Sequence, residues 1–396
     1  MKILHVVSLV APRYGGLGIA AENIARNQAA AGHDVSLWST NLDYPTGVLP
    51  FPTEEEVEID GVRRRHFPAR IAALLLSPDM WRALKREIRS FDVVHSHGLY
   101  RFPVTAAAYL ARKSGVPCVI SPHGCLDPYL YQQSKHNLLL KRVYERLFDM
   151  PNLRQVDAIH YTAEEERERI AGLKLTARPI IVPLGLDWEP YAELPARGAF
   201  RERAGVAADA PLVLFLGRIN FKKGLDLLVE GFSAVHKELP NARLAIVGPD
   251  NDGYRAEVEG WCIEKGLTDS VVFIDHLGQE QVREAYVDAD VFVLSSYTEN
   301  FGMTVVEAMA CRCPVVVSDR VNIWREVKQE GAGIIVSTEV SEVASAIRHL
   351  LTATAEAEAM GNRGREAAEN RYAWPRIVEQ FVMGYRELMP GETRDA

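Results

Sequence analysis

Cysteine is scarce in this sequence, and its few cysteines lack the spacing of a disulfide framework or a zinc site. Five cysteines occur in 396 residues, an odd number. The one close pair, Cys311 and Cys313, lies in an apolar segment with no second pair and no histidine cluster nearby. We therefore expect core thiols rather than disulfides or a bound zinc ion.

Long apolar runs and low-complexity tracts are also missing. The first ten residues are largely apolar, but the run is short, contains β-branched residues and is soon followed by Pro12 and Arg13, without a small-residue cleavage site. We interpret it as a buried first strand and expect a cytoplasmic protein. A chain of 396 residues exceeds one ordinary core and predicts two domains.

An overall excess of positive charge is the third feature that is absent. The formal net charge is −8, which disfavours nucleic acid as a partner. Residues 1–190 nevertheless carry 23 Lys or Arg against 21 Asp or Glu, whereas the remainder carries 22 against 32. Two basic stretches in the first half, Arg70–Arg89 and Ser134–Phe148, are rich in Leu and aromatic residues. Each predicts a helix with one core face and one solvated face, or else contact with an anionic membrane or lipid phosphate.

Short buried-strand patterns, alternating with helical ones, are abundant. Six Val- and Ile-rich runs extend from KILHVVS to PIIVPLG, and six more extend from LVLFLGR to GIIVS. Near-continuous apolar runs are typical of parallel strands covered on both faces. Helical patterns such as Leu17–Ala31 and Leu225–Leu239 separate them. The sequence therefore predicts an α/β fold of two tandem Rossmann-like, doubly wound parallel-sheet domains.

The predicted domains comprise residues 1–187 and 188–373. The segment Leu186–Pro211 carries three prolines and scattered charge, and we interpret it as the linker. Ligands of open parallel sheets bind beyond the carboxyl ends of the strands. The loops that follow the strands are therefore the places where chemistry is expected.

The segment GLGIAA, Gly16–Ala21, matches the dinucleotide fingerprint G-x-G-x-x-[GA]. The match is weak because Leu9–Gly15 separate the first glycine from the strand, and the second strand ends in Ser, Thr and Asn without the expected acid. We favour a flexible turn at Gly15 and Gly16 that caps a helix, whose free N–H groups can approach a phosphate. Binding of NAD stays as an alternative.

The loop GRINFKKG follows the first strand of the second domain and carries Arg218, Lys222 and Lys223 just before a helix. Three cations at such a turn form a natural anion site. A cation about 4 Å from a phosphate oxygen contributes roughly 4 kcal/mol at an effective dielectric constant near 20. Two cations can therefore neutralise the charge that other enzymes assign to magnesium, and we predict no divalent metal and no cofactor.

Other candidate ligands are weaker. Asp288 and Asp290 form a D-x-D pair, but it precedes a strand and lies at the end away from the expected site. His95 and His97 lie at a strand end, yet two histidines without a carboxylate make a poor metal site. His123, in SPHG, also follows a strand. A lone histidine is commonly structural, and it is this position that makes His123 a candidate for the site.

Two acids, Glu299 and Glu307, lie in YTENFGMTVVEAMA, and they could form an acid/base pair, a metal site or a clamp. Gly302 breaks the turn between them, and Glu307 lies about one turn inside a helix. The separation is roughly 10 to 12 Å by helical rise, too far to share a metal or a proton. The helix start between them favours an anion. Acid, anion site and acid in series suit a nucleotide sugar.

Together these features resemble the retaining GT-B glycosyltransferases of family GT4. The spacing of Glu299 and Glu307, the GRINFKKG loop, the glycine turn in APRYGGLG and the histidine of SPHG occur in the family's order and at its strand ends. The resemblance covers nearly the whole chain. It implies two Rossmann-like domains facing across a cleft, with a final helix at about 374–390 that crosses back to the first domain.

The resemblance also implies roles in binding the donor. Arg218 and Lys223 would bind the diphosphate and stabilise the departing charge. Glu307 would hold the ribose hydroxyls, and Glu299 the hydroxyls of the transferred sugar. Backbone N–H groups would complete the phosphate site, at Gly16, Phe301, Gly302, Met303 and Thr304.

For the reaction itself, the resemblance implies that His123 lies beside the transferred sugar, where it would stabilise positive charge at the reacting carbon through its backbone carbonyl or orient a sugar hydroxyl. The transfer would retain the anomeric configuration by front-face attack, with the leaving phosphate as base and without a divalent metal. That mechanism would explain why no carboxylate is spaced as a nucleophile.

The expected acceptor is a saccharide or a lipid-diphosphate-linked saccharide. The segment SPHGCLDPYLYQQSKHNLLLKR resembles family members that build exopolysaccharide or lipopolysaccharide, and its basic, apolar character suits such a lipid. The candidate acceptor contacts are His97, Asp127 and Lys135. UDP-glucose is the first expected donor and GDP-mannose the second. Peripheral contact with the cytoplasmic face of the inner membrane stays open.

Three other functions stay open at this point. A nucleotide-sugar epimerase of the same fold would need no acceptor. An NAD-dependent oxidoreductase would use GLGIAA. A non-catalytic, two-lobed sugar-binding protein would bind without turnover.

Overall fold

The chain divides into two compact units. The computed structural model describes residues 1–11, 16–43, 47–50, 52–53, 55–133, 138–250 and 253–389. The first unit comprises Met1–Gly185 and the chain from Trp374 onward, and the second comprises Leu186–Ala373. The structural boundary lies two residues before the predicted one, which is between residues 187 and 188.

The first unit is built on a mostly parallel sheet. Its strands are β1 Lys2–Val7, β2 Asp34–Thr40, β3 Leu42–Asp43, β4 Gly47–Val48, β5 Glu56–Ile59, β6 Val62–Phe67, β7 Val93–His97, β8 Cys118–Ser121, β9 Ala158–Tyr161 and β10 Arg178–Ile181. Eight of them form one sheet in the order β10-β9-β8-β7-β1-β2-β6-β5, and β3 pairs with β4 separately. Only β5 is antiparallel to its neighbour in this eight-stranded sheet.

Helices separate these strands along the chain. They are α1 Gly16–Ala30, α2 Pro78–Glu87, α3 Phe102–Ser114, α4 Pro128–Gln133, α5 Leu138–Tyr144, α6 Met150–Leu153 and α7 Glu164–Arg169. Single turns of 3-10 helix lie at Ile88–Ser90 and Ala171–Leu173, and a π-helical turn lies at Glu145–Asp149. In α2, Met80, Ala83 and Leu84 are buried, so this part of the basic stretch Arg70–Arg89 is a helix with a core face.

The hairpin of β5 and β6 was not predicted, because its strands are charged rather than apolar. Asp60 and Gly61 join them with φ values of 54° and 73°. Two consecutive positive φ values are those of a type I′ turn, for which Asp-Gly is a favoured pair. The dipeptide was therefore the signal for this hairpin. Burial could not reveal it, since β5 lies at the edge of the sheet.

The second unit has a fully parallel sheet. Its strands are β11 Leu212–Leu216, β12 Arg243–Val247, β13 Val271–Ile274, β14 Val291–Leu294, β15 Val315–Ser318 and β16 Gly333–Val336, in the order β13-β12-β11-β14-β15-β16. Its helices are α8 Glu189–Ala192, α9 Ala199–Ala204, α10 Leu225–Glu238, α11 Tyr254–Glu264, α12 Gln279–Asp288, α13 Met303–Ala310, α14 Trp324–Glu330, α15 Val340–Thr352 and α16 Thr354–Tyr372, with a 3-10 turn at Phe221–Lys223.

The last described helix, α17 Trp374–Arg386, belongs to the first unit. Ile377, Phe381 and Tyr385 are fully buried in a core cluster with β1, β2 and β7. Trp374 lies directly over Gly185, where a Cβ atom would come within 2.4 Å of the indole ring. Only glycine therefore fits at the point where the chain leaves the first unit.

The interpretation of Leu186–Pro211 as a linker is wrong, because this segment is a folded part of the second unit. Phe200 is fully buried, and Arg201 is 3% exposed. The Arg201 guanidinium donates to the backbone oxygen of Asp288 at 2.9 Å and to Asp290 Oδ2 at 2.9 Å. The Asp288 carboxylate accepts from the backbone N–H of Gly198 and of Arg201. The D-x-D pair thus anchors α9.

No helix within the described part of the chain is long and apolar enough to span a membrane.

The anchoring of α9 can be tested by replacing Asp288 with alanine. The change leaves the half-buried N–H of Gly198 and the buried N–H of Arg201 without their acceptor, so we expect Asp288→Ala to lower the free energy of unfolding of the second unit by about 1–3 kcal/mol. The urea midpoint of the full chain measures this effect. Asp269→Ala, at an exposed position, is the control. Equal midpoints for the two variants would contradict the anchoring role.

Candidate active site

The basic loop of the second unit lies tightly against a neighbouring strand end. The loop follows β11 and forms a 3-10 turn at Phe221–Lys223, which Asn220 caps by accepting from the Lys222 N–H at 3.1 Å. Gly224 follows with a φ of 62°, and a Cβ atom there would lie 2.1 Å from the Ser295 backbone oxygen. Glycine is required at this position both by its conformation and by the close approach.

Tyr297 joins the basic loop to the loop after β14. Its backbone N–H donates to the Lys222 oxygen at 2.8 Å, and its hydroxyl donates to Asp226 Oδ2 at 2.6 Å. These bonds place Glu299 beside Lys223, and the two side chains form an ion pair. The pair is largely buried, with 17% of Lys223 and 23% of Glu299 exposed. The structure therefore joins two residues that the sequence places 76 positions apart.

The position of Glu299 is also fixed through its backbone. Its N–H donates to the Arg320 oxygen at 3.2 Å, and its oxygen accepts from the Asn322 N–H at 3.1 Å. Gly302, with a φ of 89°, then turns the chain into α13, and a Cβ atom there would lie 2.9 Å from Val321 Cγ1. The loop from Glu299 to Gly302 is thus held by the segment after β15.

Helix α13 presents the residues predicted to bind phosphate. Phe301 is buried and its ring contacts Tyr372 edge-on, so its side chain belongs to the core and only its backbone is available to a ligand. Met303 and Thr304, in the first turn of α13, are half-buried. The start of a helix is favourable for an anion because its N–H groups point outward along the axis.

Glu307 lies one turn inside α13 and is half-buried. Its Oε2 accepts from the Tyr286 hydroxyl at 3.1 Å. Burial raises the pKa of the Glu307 carboxyl, and the hydrogen bond from Tyr286 opposes that rise. Tyr286 is a candidate-site residue that the sequence analysis missed, since it lies in the last turn of α12 without a motif around it.

Arg218 is the most exposed of the predicted cations. It follows Gly217, and the next residue, Ile219, donates its N–H to the Pro249 oxygen at 2.9 Å. The loops after β11 and β12 are therefore joined at their bases. In the second unit, the candidate site accordingly comprises the basic loop, the Lys223–Glu299 pair and the start of α13.

In the first unit, the fingerprint glycines lie at the start of α1 and do not directly follow a strand along the chain. Strand β1 ends at Val7, whereas α1 begins at Gly16, which is exposed. Gly15 lies outside the described residues, so the predicted turn with Gly16 is seen only from its helical side. Lys135, a predicted acceptor contact, also lies outside the described residues.

His123 lies in the turn after β8 and is half-buried. Its φ is 50°, an uncommon left-handed conformation for a residue with a Cβ atom. The next N–H, of Gly124, donates to Glu166 Oε1 at 2.8 Å, and the second oxygen of Glu166 accepts from the Thr162 N–H and hydroxyl. A buried carboxylate therefore holds the turn that carries His123.

Two predicted acceptor contacts lie deeper than expected. His97 is fully buried, and its ring nitrogens pair with His5 at 2.9 Å and with His123 at 3.1 Å. Its predicted direct contact with a ligand is therefore corrected: His97 lies behind His123. Asp127 is 8% exposed and accepts from the Tyr129 N–H at 2.8 Å, which makes it a cap of α4.

An apolar-basic face is exposed on α5 and the π-helical turn that follows. Leu139 and Leu140 are 76% and 69% exposed, and three further apolar side chains are exposed as well: Val143, Leu147 and Phe148. Arg142 and Arg146 are exposed within the same stretch. Apolar and basic side chains are therefore exposed together in the described part of the stretch Ser134–Phe148.

Comparison with known proteins matches each unit to a glycosyltransferase family. Residues 15–185 match the family described as "Glycosyl transferase 4-like domain", and residues 197–367 match "Glycosyl transferases group 1". Together the two matches cover most of both units.

Similar proteins extend over the whole chain. A GDP-mannose:cellobiosyl-diphosphopolyprenol alpha-mannosyltransferase of Xanthomonas oryzae pv. oryzae is 27% identical, over 98% of this chain and 97% of the relative. A D-inositol 3-phosphate glycosyltransferase of Kineococcus radiotolerans is also 27% identical, over 95% and 91%.

Solved structures share the fold. HepE of Anabaena, solved in complex with UDP, has a TM-score of 0.77 at 19% identity, with 97% of this chain and 99% of that chain covered. Sucrose-phosphate synthase of Thermosynechococcus elongatus has a TM-score of 0.76 at 21% identity, covering 98% and 99%. The predicted fold class, two parallel-sheet α/β domains of the GT-B type, is confirmed, and the chain belongs to the group 1 glycosyltransferases of family GT4, which use nucleotide sugars.

Proposed function

We propose that this glycosyltransferase moves a hexose from a nucleotide-diphosphate sugar to a lipid-linked saccharide, with retention of configuration and without a divalent metal. The observation that carries the proposal is the Lys223–Glu299 ion pair beside the start of α13. It supplies a cation for phosphate and a carboxylate for sugar hydroxyls at one place.

The charges of the second unit support a metal-independent departure of the nucleotide. Lys223 and Arg218 would donate to the diphosphate oxygens, and the first N–H groups of α13 would add to the positive field. Glu299 would accept from hydroxyls of the transferred sugar. Glu307 would accept from the ribose hydroxyls, for which its ionised form offers two oxygens.

In the proposed step, the bond between the anomeric carbon and the phosphate oxygen breaks. A new bond to the acceptor oxygen forms on the same face of the sugar. The acceptor hydroxyl proton passes to the departing phosphate oxygen, so the products are the nucleoside diphosphate and the glycoside. We propose that His123 of the first unit acts on the transferred sugar in this step.

The name of one relative favours one of the two expected donors and one kind of acceptor. The name of the Xanthomonas relative specifies GDP-mannose and a diphosphopolyprenol-linked saccharide. We therefore propose GDP-mannose ahead of UDP-glucose, the reverse of the order expected from sequence. An acceptor with a polyprenyl diphosphate also suits the apolar-basic face of the first unit.

A panel of nucleotide sugars, assayed with and without lipid-linked saccharides, tests the proposal. Release of free nucleotide is measured, and NAD is added as a competitor. We expect turnover only with an acceptor, no effect of EDTA, and a fall in kcat of about 100-fold or more for Lys223→Ala and Arg218→Ala. Lys237→Ala, an exposed lysine of α10, is the control. Activity that EDTA abolishes and magnesium restores would exclude the metal-independent mechanism, and conversion of the sugar without acceptor would indicate an epimerase.

Glu307 predicts a pH dependence of donor binding. Because burial raises the pKa of its carboxyl, Glu307 becomes protonated at a higher pH than an exposed glutamate, and the neutral form accepts hydrogen bonds less well. We expect the KM for the donor to rise as the pH falls through this raised pKa. Glu307→Gln should have a higher KM at alkaline pH and a flatter profile, whereas Glu280→Gln, at an exposed position on α12, should match the native enzyme. An unchanged profile in Glu307→Gln would remove Glu307 from the donor site.

We propose that the apolar-basic face binds an anionic lipid surface, because exposed leucines and arginines occur together on it. Leu140→Glu with Leu147→Glu should abolish co-sedimentation with vesicles of phosphatidylglycerol, and binding of the native chain should weaken with salt and be weaker to pure phosphatidylcholine. Ile263→Glu replaces a residue that is 67% exposed in the second unit and serves as the control. Equal sedimentation of the two charge variants would contradict the assignment.

A further inference from the structure

Five histidines lie next to one another inside the first unit. His5 is on β1, His95 and His97 are on β7, His160 is on β9, and His123 follows β8. All but His123 are 1% exposed or less. Burial lowers the pKa of every one of them, to about 4 for His5 and His160 and to about 3 for His123, so all five rings are neutral at pH 7.

Hydrogen bonds join these rings into one continuous series through three other side chains, Gln28 of α1, Ser121 of β8 and Tyr385 of α17. We call this series the histidine relay. Its order, with the distance between successive polar atoms, is His123, His97 (3.1 Å), His5 (2.9 Å), Gln28 (2.7 Å), Tyr385 (3.3 Å), His95 (2.6 Å), Ser121 (2.6 Å), His160 (2.6 Å) and the Val182 backbone oxygen (2.7 Å).

The end of the relay at Val182 has a fixed polarity. A backbone oxygen can only accept, so His160 must carry its proton on Nε2. The neutral ring then has a bare Nδ1, which accepts from the Ser121 hydroxyl. Ser121 has thereby used its proton, and its oxygen accepts from Nε2–H of His95.

The same reasoning extends to the other end. His95 has a bare Nδ1, which accepts from the Tyr385 hydroxyl, and the Tyr385 oxygen accepts from the Gln28 amide N–H. The Gln28 oxygen in turn accepts from Nε2–H of His5.

Beyond Gln28, the bare Nδ1 of His5 accepts from Nε2–H of His97. The bare Nδ1 of His97 then accepts from Nε2–H of His123. Every ring N–H and hydroxyl of the series then donates to one acceptor, and a single set of proton positions satisfies the whole series.

We propose that the histidine relay fixes the tautomer of His123, so that its Nδ1 is presented as a hydrogen-bond acceptor to a hydroxyl of the transferred sugar. The contact with the sugar rests on the proposed function, whereas the tautomer does not. His123 cannot donate from Nε2 to a ligand, because its Nε2–H already donates to His97 Nδ1. The ligand group that it recognises must therefore be a donor, which suits a sugar hydroxyl and excludes a bare phosphate oxygen.

Tyr385 is the positioning residue on which the orientation depends. Without its hydroxyl, the Gln28 amide could rotate and donate to His5, and the protons on His5, His97 and His123 could then all reverse. His123 would become a donor at Nδ1. Tyr385 is therefore the link through which the Val182 carbonyl determines the proton positions in the half of the relay that reaches His123.

A metal ion is the competing interpretation, because ring nitrogens of His5, His95 and His97 lie within 4.8 Å of one another. All six ring nitrogens of these residues already have a hydrogen-bond partner in the relay. A bound metal would have to displace several of these bonds. The relay is the arrangement that satisfies every ring, and we favour it for that reason.

Nitrogen-15 NMR of the native chain, labelled in histidine, tests the proposal directly. We expect all five rings of the relay to be neutral with the proton on Nε2, assigned by single His→Gln variants, and the exposed His276 after β13 to average between tautomers. A proton on Nδ1 of His123, or a charged ring at pH 7 within the relay, would overturn it. Elemental analysis finding one tightly held metal ion per chain would overturn it as well.

Tyr385→Phe tests the role of the relay in turnover. We expect His123 to show both tautomers, and kcat to fall about threefold to tenfold, the loss of one neutral hydrogen bond, with little change in the KM for the donor. Ser121→Ala interrupts the relay at another point between Val182 and His123, so it should produce the same tautomer mixture. Tyr144→Phe removes a hydroxyl that pairs with Thr105 outside the relay and is the control.

The outcomes separate the relay from the proposed function. If Tyr385→Phe leaves the His123 tautomer unchanged, the relay does not orient that ring, whatever the activity. If the tautomer changes while kcat stays the same, the relay exists but His123 does not contact the sugar in the reaction.

Discussion

Burying a polar group in a parallel strand that is covered on both faces is costly unless the group finds a partner, and this constraint shapes the sheets of both units. An unpaired polar group in such a place costs about 1–3 kcal/mol. In the second unit the sheet strands β11, β12 and β14 are apolar almost throughout, and the ionic groups appear where the strands end. In the first unit β1, β7 and β9 carry histidines within the sheet, and their ring nitrogens are paired.

The two units therefore accommodate their polar groups in different ways. In the second unit, tight glycine turns bring backbone segments together, and Lys223 and Glu299 neutralise each other beyond the carboxyl ends of the strands. In the first unit, hydrogen bonds between neutral groups extend into the sheet, so the positions of the buried side chains are set without any net charge.

The sequence predicted the features that depend on local pattern. The apolar runs predicted the parallel sheets of both units. The turn around Gly302, followed by a helical pattern, predicted that Glu299 precedes a helix and that Glu307 lies about one turn inside it. It could not predict features that depend on tertiary contact. Tyr385 and His123 are separated by 262 positions along the chain, and nothing local to Tyr385 distinguishes it from an ordinary core residue. The linker failed for a related reason, because Arg201 appears solvent-exposed until Asp288 is seen to bind it.

Helix α17 has a consequence for the order in which the protein is made. Synthesis proceeds from the amino terminus, so the first sheet leaves the ribosome before any of the second unit does. The core of that first sheet nevertheless needs Ile377 and Phe381, which are synthesised after the entire second unit. The second unit can close on its own sequence, whereas the first must wait with part of its apolar surface uncovered until α17 has been synthesised. The half of the enzyme that is made first is therefore the half that finishes folding last.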